Sequence, residues 1–285
     1  MSFYINARFM GTKDFYLDIN NKETEPFGDE KLNDYPISLF VDYIPSPEEL
    51  ATNPHNILMI MEPNEYFGLH TFAENNASYF TCILTGQHIL DNCENAVFMP
   101  HGLSLKMPYI DNFQNIKKKY EVSFLCGALK KIEGHFIRHK LYKRGDEITM
   151  PKKFYTLPDY KEVNGKYRRT ELNAKKVCDE SMFHIAIENI KRDNFYTEKI
   201  LDAFLTKTIP IYYGCPNIGE FFNSDGIITF DNETQAIDIC NSLTEDDYYK
   251  RVNAINENYK IAKSKFYRGM VQDLDFIKIN EIGSK

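Results

Sequence analysis

Three residues of this 285-residue sequence stand where carboxylate and ammonium chemistry is most usable: Glu62, Glu198 and Lys199. Glu198 and Lys199 follow Thr197, a residue type that caps helices by accepting from the first-turn backbone. Ile200, Leu201, Phe204 and Leu205 then recur at helical spacing. A helix start favours anions through its free N–H groups and dipole, and Lys199 adds a full positive charge there. Glu198 has a second use, as an acceptor for paired hydroxyls of the ribose kind. The plainer reading, in which Glu198 complements the helix dipole and Lys199 is solvated, stands beside both. Glu62 closes the apolar run 56–61 and precedes Pro63, which places it at the C-terminal edge of a strand. Burial there would raise its pKa toward that of a general base. Glu65 competes for the same role, and a strand-end carboxylate in water is the bland alternative.

The elements around the Glu-Lys pair are a strand, a loop, a helix and a strand. Residues 183–187 are an apolar run of strand length, and the loop after them carries Glu188, Asn189, Lys191, Arg192, Asp193 and Asn194. A second run, 209–213, ends at Gly214. This order makes parallel sheets, and its polar groups gather at the carboxyl end of the first strand, where open α/β sheets bind phosphorylated ligands. Upstream, runs at 2–9, 37–43, 56–61, 80–84 and 96–99 read as strands. Ser46-Pro47-Glu48-Glu49 starts a helix, and 69–73 reads as helical. They predict a first α/β domain over 1–110. A connector over 106–118 leads to a second α/β domain over 119–266. Its strands are expected at 121–126, 153–156 and 226–230. Its helices are expected at 132–142 (with Phe136, Ile137 and Leu141 on one side), 171–182, 216–222, 233–243 and 245–266, and 158–169 reads as loop. The tail 267–285 is expected to pack back across the first domain.

Composition narrows the setting. Trp is absent, Tyr and Phe are abundant, and no apolar run approaches the ~20 residues of a membrane helix. The N-terminus has no signal-peptide pattern. Cys82, Cys93, Cys126, Cys178, Cys215 and Cys240 are scattered without a Cys-x-x-Cys pair, which argues against zinc and against a disulfide framework. A reducing cytoplasm is the expected compartment, which makes the sequons at Asn76 and Asn232 chance matches. The formal charge of −7 is uneven: residues 117–176 hold 17 Lys and Arg against 7 Asp and Glu, leaving 17 against 34 elsewhere. A segment of net +10 inside an acidic protein fits a local anionic ligand, and equally fits solvated faces and loops. Asp273-Leu-Asp275 spells a metal motif but lacks a strand before it, so it reads as coincidence.

Phe183-x-x-x-Ile187-Glu188-Asn189, then Phe195-Tyr196-Thr197-Glu198-Lys199, then Thr208-Ile209-Pro210-Ile211-Tyr212-Tyr213-Gly214 resembles glycosyltransferase family 10, the α-1,3/α-1,4-fucosyltransferases. Met61-Glu62-Pro63 and Phe98-Met99-Pro100-His101-Gly102 are similar to two further family motifs. The resemblance implies an α/β fold of GT-B type, two Rossmann-like domains facing across a cleft, with the donor in the C-terminal one. It implies inverting transfer with GDP-fucose as the usual donor; with no metal cluster in the sequence, no metal or other cofactor is expected. It makes Asn189, Glu198 and Lys199 donor-site residues, Glu198 on the ribose and Lys199 on the diphosphate. Phe195 stands where the family has Tyr, so a hydroxyl contact is lost. Glu62 takes the general base's position. Arg138 is the diphosphate arginine by region, with Arg144 and Arg168 as alternatives and a solvated helix residue as the bland reading. His70 and His101 are candidates for the acceptor side. Lacking the anchor and disulfides of animal members, the chain resembles a bacterial or viral enzyme of the cytoplasm.

Three functions follow as expectations. The first is transfer of fucose from GDP-fucose to a glycan hydroxyl. The second keeps the fold and glycosylates a hydroxymethylated base in phage-type DNA from another nucleotide sugar, such as a UDP-pentose; the acidity opposes it and the basic segment leaves it open. The third is a non-catalytic nucleotide- or carbohydrate-binding relative, against which Glu62, Glu198 and Lys199 together argue.

Overall fold

The computed structural model describes residues 3–7, 17–18, 22–23, 37–86, 93–98, 116–156, 160–163, 166–169 and 180–266. The chain forms two units, one built within residues 1–101 and one within 102–267.

In the first unit β1 (Phe3–Ala7) is followed by a small antiparallel pair, β2 (Leu17–Asp18) and β3 (Lys22–Glu23). Then come β4 (Ile37–Val41), α1 (Pro47–Thr52), β5 (His55–Ile60), α2 (Asn64–Phe67), α3 (Leu69–Asn76), β6 (Cys82–Thr85) and β7 (Ala96–Phe98). β1, β4, β5, β6 and β7 pair in that order, all parallel. Parallel strands covered on both faces need unbroken apolar runs, and β5 supplies one in which Asn56 to Ile60 are all buried. Phe40, Leu58, Ile60, Leu69, Ala73, Phe80 and Ile83 form its core. α1 starts as the sequence predicts: Ser46 caps the N–H of Glu49, whose carboxylate takes the N–H of Ser46, with Pro47 at the first turn.

The second unit runs β8 (Lys119–Cys126), α4 (Glu133–Lys143), β9 (Lys152–Thr156), the hairpin β10 (Tyr160–Val163) and β11 (Lys166–Arg169), and β12 (Ser181–Ile187). α5 (Glu198–Leu205), β13 (Ile209–Tyr213), β14 (Ile228–Thr229), α6 (Glu233–Ser242), α7 (Glu245–Lys250) and α8 (Val252–Phe266) complete it. Its parallel sheet has the order β14-β13-β12-β8-β9. The chain goes outward from β8 to β9, then crosses back to β12 and continues the other way. The loops leaving β8 and β12 therefore part, opening a crevice at the carboxyl edge between them. β12 alternates its faces: Phe183, Ile185 and Ile187 join the core under α4 and α6, and Ala186 joins Ile200, Leu201, Phe204 and Leu205 of α5 on the other side.

Several expectations are corrected here. Residues 158–169 are not loop but contain a hairpin, with Val163 paired to Lys166. The helix expected over 245–266 is two helices. Arg251 leaves helical geometry (φ −100°, ψ 1°) and donates to the Tyr248 carbonyl three residues back, which ends α7. β12 begins at Ser181, so Ser181 and Met182 are strand and not helix. The turn over 216–222 holds only a short 3-10 segment, Ile218–Glu220. In α4 the expected stripe holds at Ile137 and Leu141 but not at Phe136, which is 48% exposed, while Gly134, His135 and Arg138 are buried. The connector to residue 115, residues 170–179 of the expected helix, the tail 267–285, His101 and Asp273-Leu-Asp275 lie outside the described residues. Among those described, no helix is long and apolar enough to cross a membrane.

Candidate functional site

The loop after β12 carries the polar groups, and three elements close on it. Glu188 is fully buried at the strand's end. Its backbone N–H donates to the Tyr213 carbonyl of β13, and its carboxylate accepts from the N–H (2.8 Å) and hydroxyl (2.7 Å) of Thr197. Thr197 caps α5 by accepting from the Lys199 N–H, as its place in the sequence predicts. The Lys199 ammonium lies over this helix start, 3.0 Å from the Thr197 hydroxyl, 3.0 Å from Glu198 Oε1 and 3.6 Å from Glu188 Oε2. Glu188, an acid inside the sheet edge, thus fixes where α5 begins and where its two chemically useful side chains project. Close packing enforces this: a Cβ on Gly214 would lie 2.5 Å from the Glu188 Cγ and 2.4 Å from the Tyr212 hydroxyl.

From the other side of the crevice α4 supplies Arg138. Its guanidinium donates to Asn189 Oδ1, so two residues the sequence separates by fifty positions form one buried polar pair. The Gly134 N–H donates to the Asn189 carbonyl at 3.0 Å. That approach needs glycine, because a Cβ there would sit 1.8 Å from the Glu188 carbonyl oxygen. His135 turns Nδ1 back to accept from the N–H groups of Lys131 (3.2 Å) and Ile132 (3.4 Å), leaving its proton on Nε2.

Burial and neighbouring charges set the protonation of this corner. Burial drives the His135 pKa down to about 4, reinforced by the cations Arg138 and Lys199 and opposed by a hydrogen bond with Asn189. His135 is therefore a neutral donor at ordinary pH, and the cations are Arg138 and Lys199. Burial pushes the Glu188 carboxyl up from its ordinary value, with Lys199 and the Thr197 hydrogen bonds opposing and Glu198 adding to the rise. Two cations, a neutral imidazole and a helix start meet where the strand order reverses, an arrangement suited to a diphosphate.

In the first unit Glu62 is half-buried just past β5. Its N–H (3.0 Å) and that of Met61 (2.8 Å) both donate to Asp42 Oδ1. Glu65 is exposed on α2, and His70 is buried with Nε2 3.1 Å from the Thr85 hydroxyl. Among the described residues no three His, Cys, Asp or Glu side chains gather as a metal site.

The family model described as glycosyltransferase family 10 (fucosyltransferase) C-term matches residues 114–279, more than half of the chain. The chain belongs to this family. Within this family-10 chain, the matched region includes the whole β8–β12–α5 corner described above. Helicobacter pylori "Alpha-(1,3)-fucosyltransferase FucT" is 33% identical over 112 residues, 38% of this chain and 23% of that protein. The "Putative fucosyltransferase R654" of Acanthamoeba polyphaga mimivirus is 35% identical over 88 residues, 30% of this chain and 14% of that protein. The matches thus span under a quarter of the relatives' own lengths. The crystal structure of TarM is similar at 11% identity and a TM-score of 0.51, covering 86% of this chain and 54% of that one. That likeness bears on fold alone, and with the two parallel sheets it makes the α/β fold one of GT-B type.

The structure brings four of the sequence candidates, Arg138, Asn189, Glu198 and Lys199, into one corner of this family-10 chain. Phe195, in the same loop, is buried at 2% exposure. Arg144 is spent elsewhere, on Glu147 (2.8 Å) and Thr234 (2.8 Å), and the side chain of Arg168 lies outside the described residues. Sequence reasoning gave no role to Glu188 beyond the loop, and none to Gly134, His135 or Asp42. Glu188 had a signal, since it ends a fully apolar strand where only a satisfied carboxylate can be buried.

Proposed function

We propose that this chain is an inverting glycosyltransferase that moves fucose from GDP-fucose to a hydroxyl of a glycan acceptor. The observation that carries the donor half is the meeting of the Arg138–Asn189 pair with Lys199 and the α5 start at the strand-order reversal. In this reading Lys199 and Arg138 take the charge that develops on the departing diphosphate, and Glu198 accepts from the ribose hydroxyls. Glu62 takes the proton of the acceptor hydroxyl as its oxygen bonds to the anomeric carbon and the bond from that carbon to the diphosphate oxygen breaks. The reaction is proposed to need no metal, so a chelator should leave the rate unchanged. The family membership and the similarity to proteins named as fucosyltransferases support GDP-fucose over other donors.

The test is a thermal-shift panel of GDP, UDP, GDP-fucose and UDP-sugars. A ligand that binds only the folded chain at ~100 times its Kd adds about 2.7 kcal/mol, a rise of several degrees. GDP and GDP-fucose should give it and UDP should not. Stabilisation by UDP alone would overturn the fucosyl reading, and a salt-sensitive shift with duplex DNA would then point to a DNA base as acceptor.

A further inference from the structure

Asp42 stands in the first unit directly after β4, 1% exposed, with a positive φ of 48°. A non-glycine residue is rare in that left-handed region, and Asp is among the few that tolerate it. Its N–H donates to the Met59 carbonyl at 3.0 Å, extending the β4–β5 ladder by one bond. Its side chain then takes over. One carboxylate oxygen accepts the N–H of Met61 and the N–H of Glu62. Pro63 has no N–H to offer. Asp42 therefore accepts from both backbone donors between the last residue of β5 and that proline. A carboxylate gripping two successive N–H groups fixes the direction in which the chain leaves the sheet, and with it the direction of the Glu62 side chain.

We propose that Asp42 is a positioning residue for the reaction: it holds the backbone turn from which Glu62 projects. This rests on the assignment of Glu62 as general base. The left-handed backbone is the cost of the arrangement, since it aims the Asp42 carboxylate across at the neighbouring strand's end. Strain of this kind persists where surrounding contacts over-determine it, and it concentrates at functional sites.

The experiment compares Glu62→Gln, Asp42→Gly and Asp42→Asn in steady-state assays with GDP-fucose and a glycan acceptor, with melting temperature recorded for each. Gly suits the backbone angle but removes the acceptor oxygen of both hydrogen bonds. Asn keeps an oxygen in the same place and also tolerates the angle. Displacing a reacting group by about 1 Å costs on the order of 100-fold. Asp42→Gly should lower kcat by about 10- to 100-fold with the donor KM unchanged, and Asp42→Asn should recover most of it. If Glu62→Gln abolishes turnover while Asp42→Gly keeps wild-type kcat, the positioning role is wrong and the base assignment survives. Equal kcat losses in Asp42→Gly and Asp42→Asn would also overturn it, as would a rise in donor KM matching the fall in kcat. Wild-type turnover in Glu62→Gln would remove the base assignment and this proposal with it.

Discussion

Gly134→Ala adds one methyl group at the tightest contact of the proposed donor corner. The new carbon would lie 1.8 Å from the Glu188 carbonyl oxygen and 2.9 Å from that of Asn189, both backbone atoms that no rotamer change moves aside. Ordinary contact starts at 3.4 Å, so α4 and the loop after β12 must part by about 1.6 Å. The Gly134–Asn189 hydrogen bond, 3.0 Å now, is then lost. Overpacking of this kind costs about 1–3 kcal/mol and the lost bond about 1, while alanine returns up to ~1 as the better helix former. The net is about 2 kcal/mol, which in a chain of this size lowers Tm by roughly 4–8 °C. The larger effect is on binding. Arg138 lies one turn further along the same face of α4 and reaches Asn189 from it, so the same displacement pulls the guanidinium off its partner. A charge-assisted hydrogen bond is worth about 1.5–3 kcal/mol, so the donor KM should rise by roughly 10- to 100-fold. The assays are thermal melting and GDP release at varied GDP-fucose. Phe136→Ala, an exposed change two residues along the same helix, should leave the donor KM alone. A Gly134→Ala protein with wild-type Tm would show that α4 does not need this contact, and a lowered Tm with wild-type donor KM would remove Arg138 from the proposed donor site.

Lys199→Ala should raise the donor KM by about 10- to 100-fold and weaken the salt dependence of binding, read from KM at several ionic strengths. His135 and Glu188 should give stability opposite pH slopes. The folded pKa of His135 is lowered from 6.5 to about 4, so the stability it contributes is complete above pH 6.5 and is lost as pH falls toward 4. His135→Gln should flatten that part of the Tm-against-pH curve, and an unchanged slope would mean the imidazole is not held neutral by burial. The folded pKa of Glu188 is raised above 4.5, so its contribution is complete below pH 4.5 and is lost as pH rises through the folded value. Wild type should therefore lose ground to Glu188→Gln between acid and neutral pH, and a gain instead would refute the burial argument.

What could be read from the sequence was whatever local order determines. The strands at 183–187 and 209–213, the Thr197 cap and the four-residue stripe of α5 are runs and spacings within a short window, and all are present. The α4 stripe was right at Ile137 and Leu141 and wrong at Phe136, because a short helix with few apolar residues leaves its buried face loosely defined. Gly134 and Arg138 are buried against Asn189, 51 positions on from Arg138, a long-range contact that no local spacing announces. The hairpin failed for another reason: Asn164-Gly165 between Val163 and Lys166 is the strongest two-residue hairpin signal a sequence carries, and the loop reading passed over it. Asp42 had no signal at all, since its role depends on a positive φ and on two N–H groups from the next strand.

The buried groups of the donor corner explain one another better than any explains itself. Glu188 is needed to set the start of α5, yet its charge in a dry site is unfavourable, and Lys199 at 3.6 Å offsets part of that cost. A diphosphate that drew Lys199 toward itself would remove the offset and raise the proton affinity of Glu188 further. Burial first, and then the charges of Arg138 and Lys199, disfavour a protonated His135, which keeps the imidazole neutral. In the proposed reading, a diphosphate near Arg138 and Lys199 would compete with Glu188 and Glu198 for the Lys199 ammonium. Positive charge beside a helix start is what the proposed role of Arg138 and Lys199 on a departing diphosphate requires.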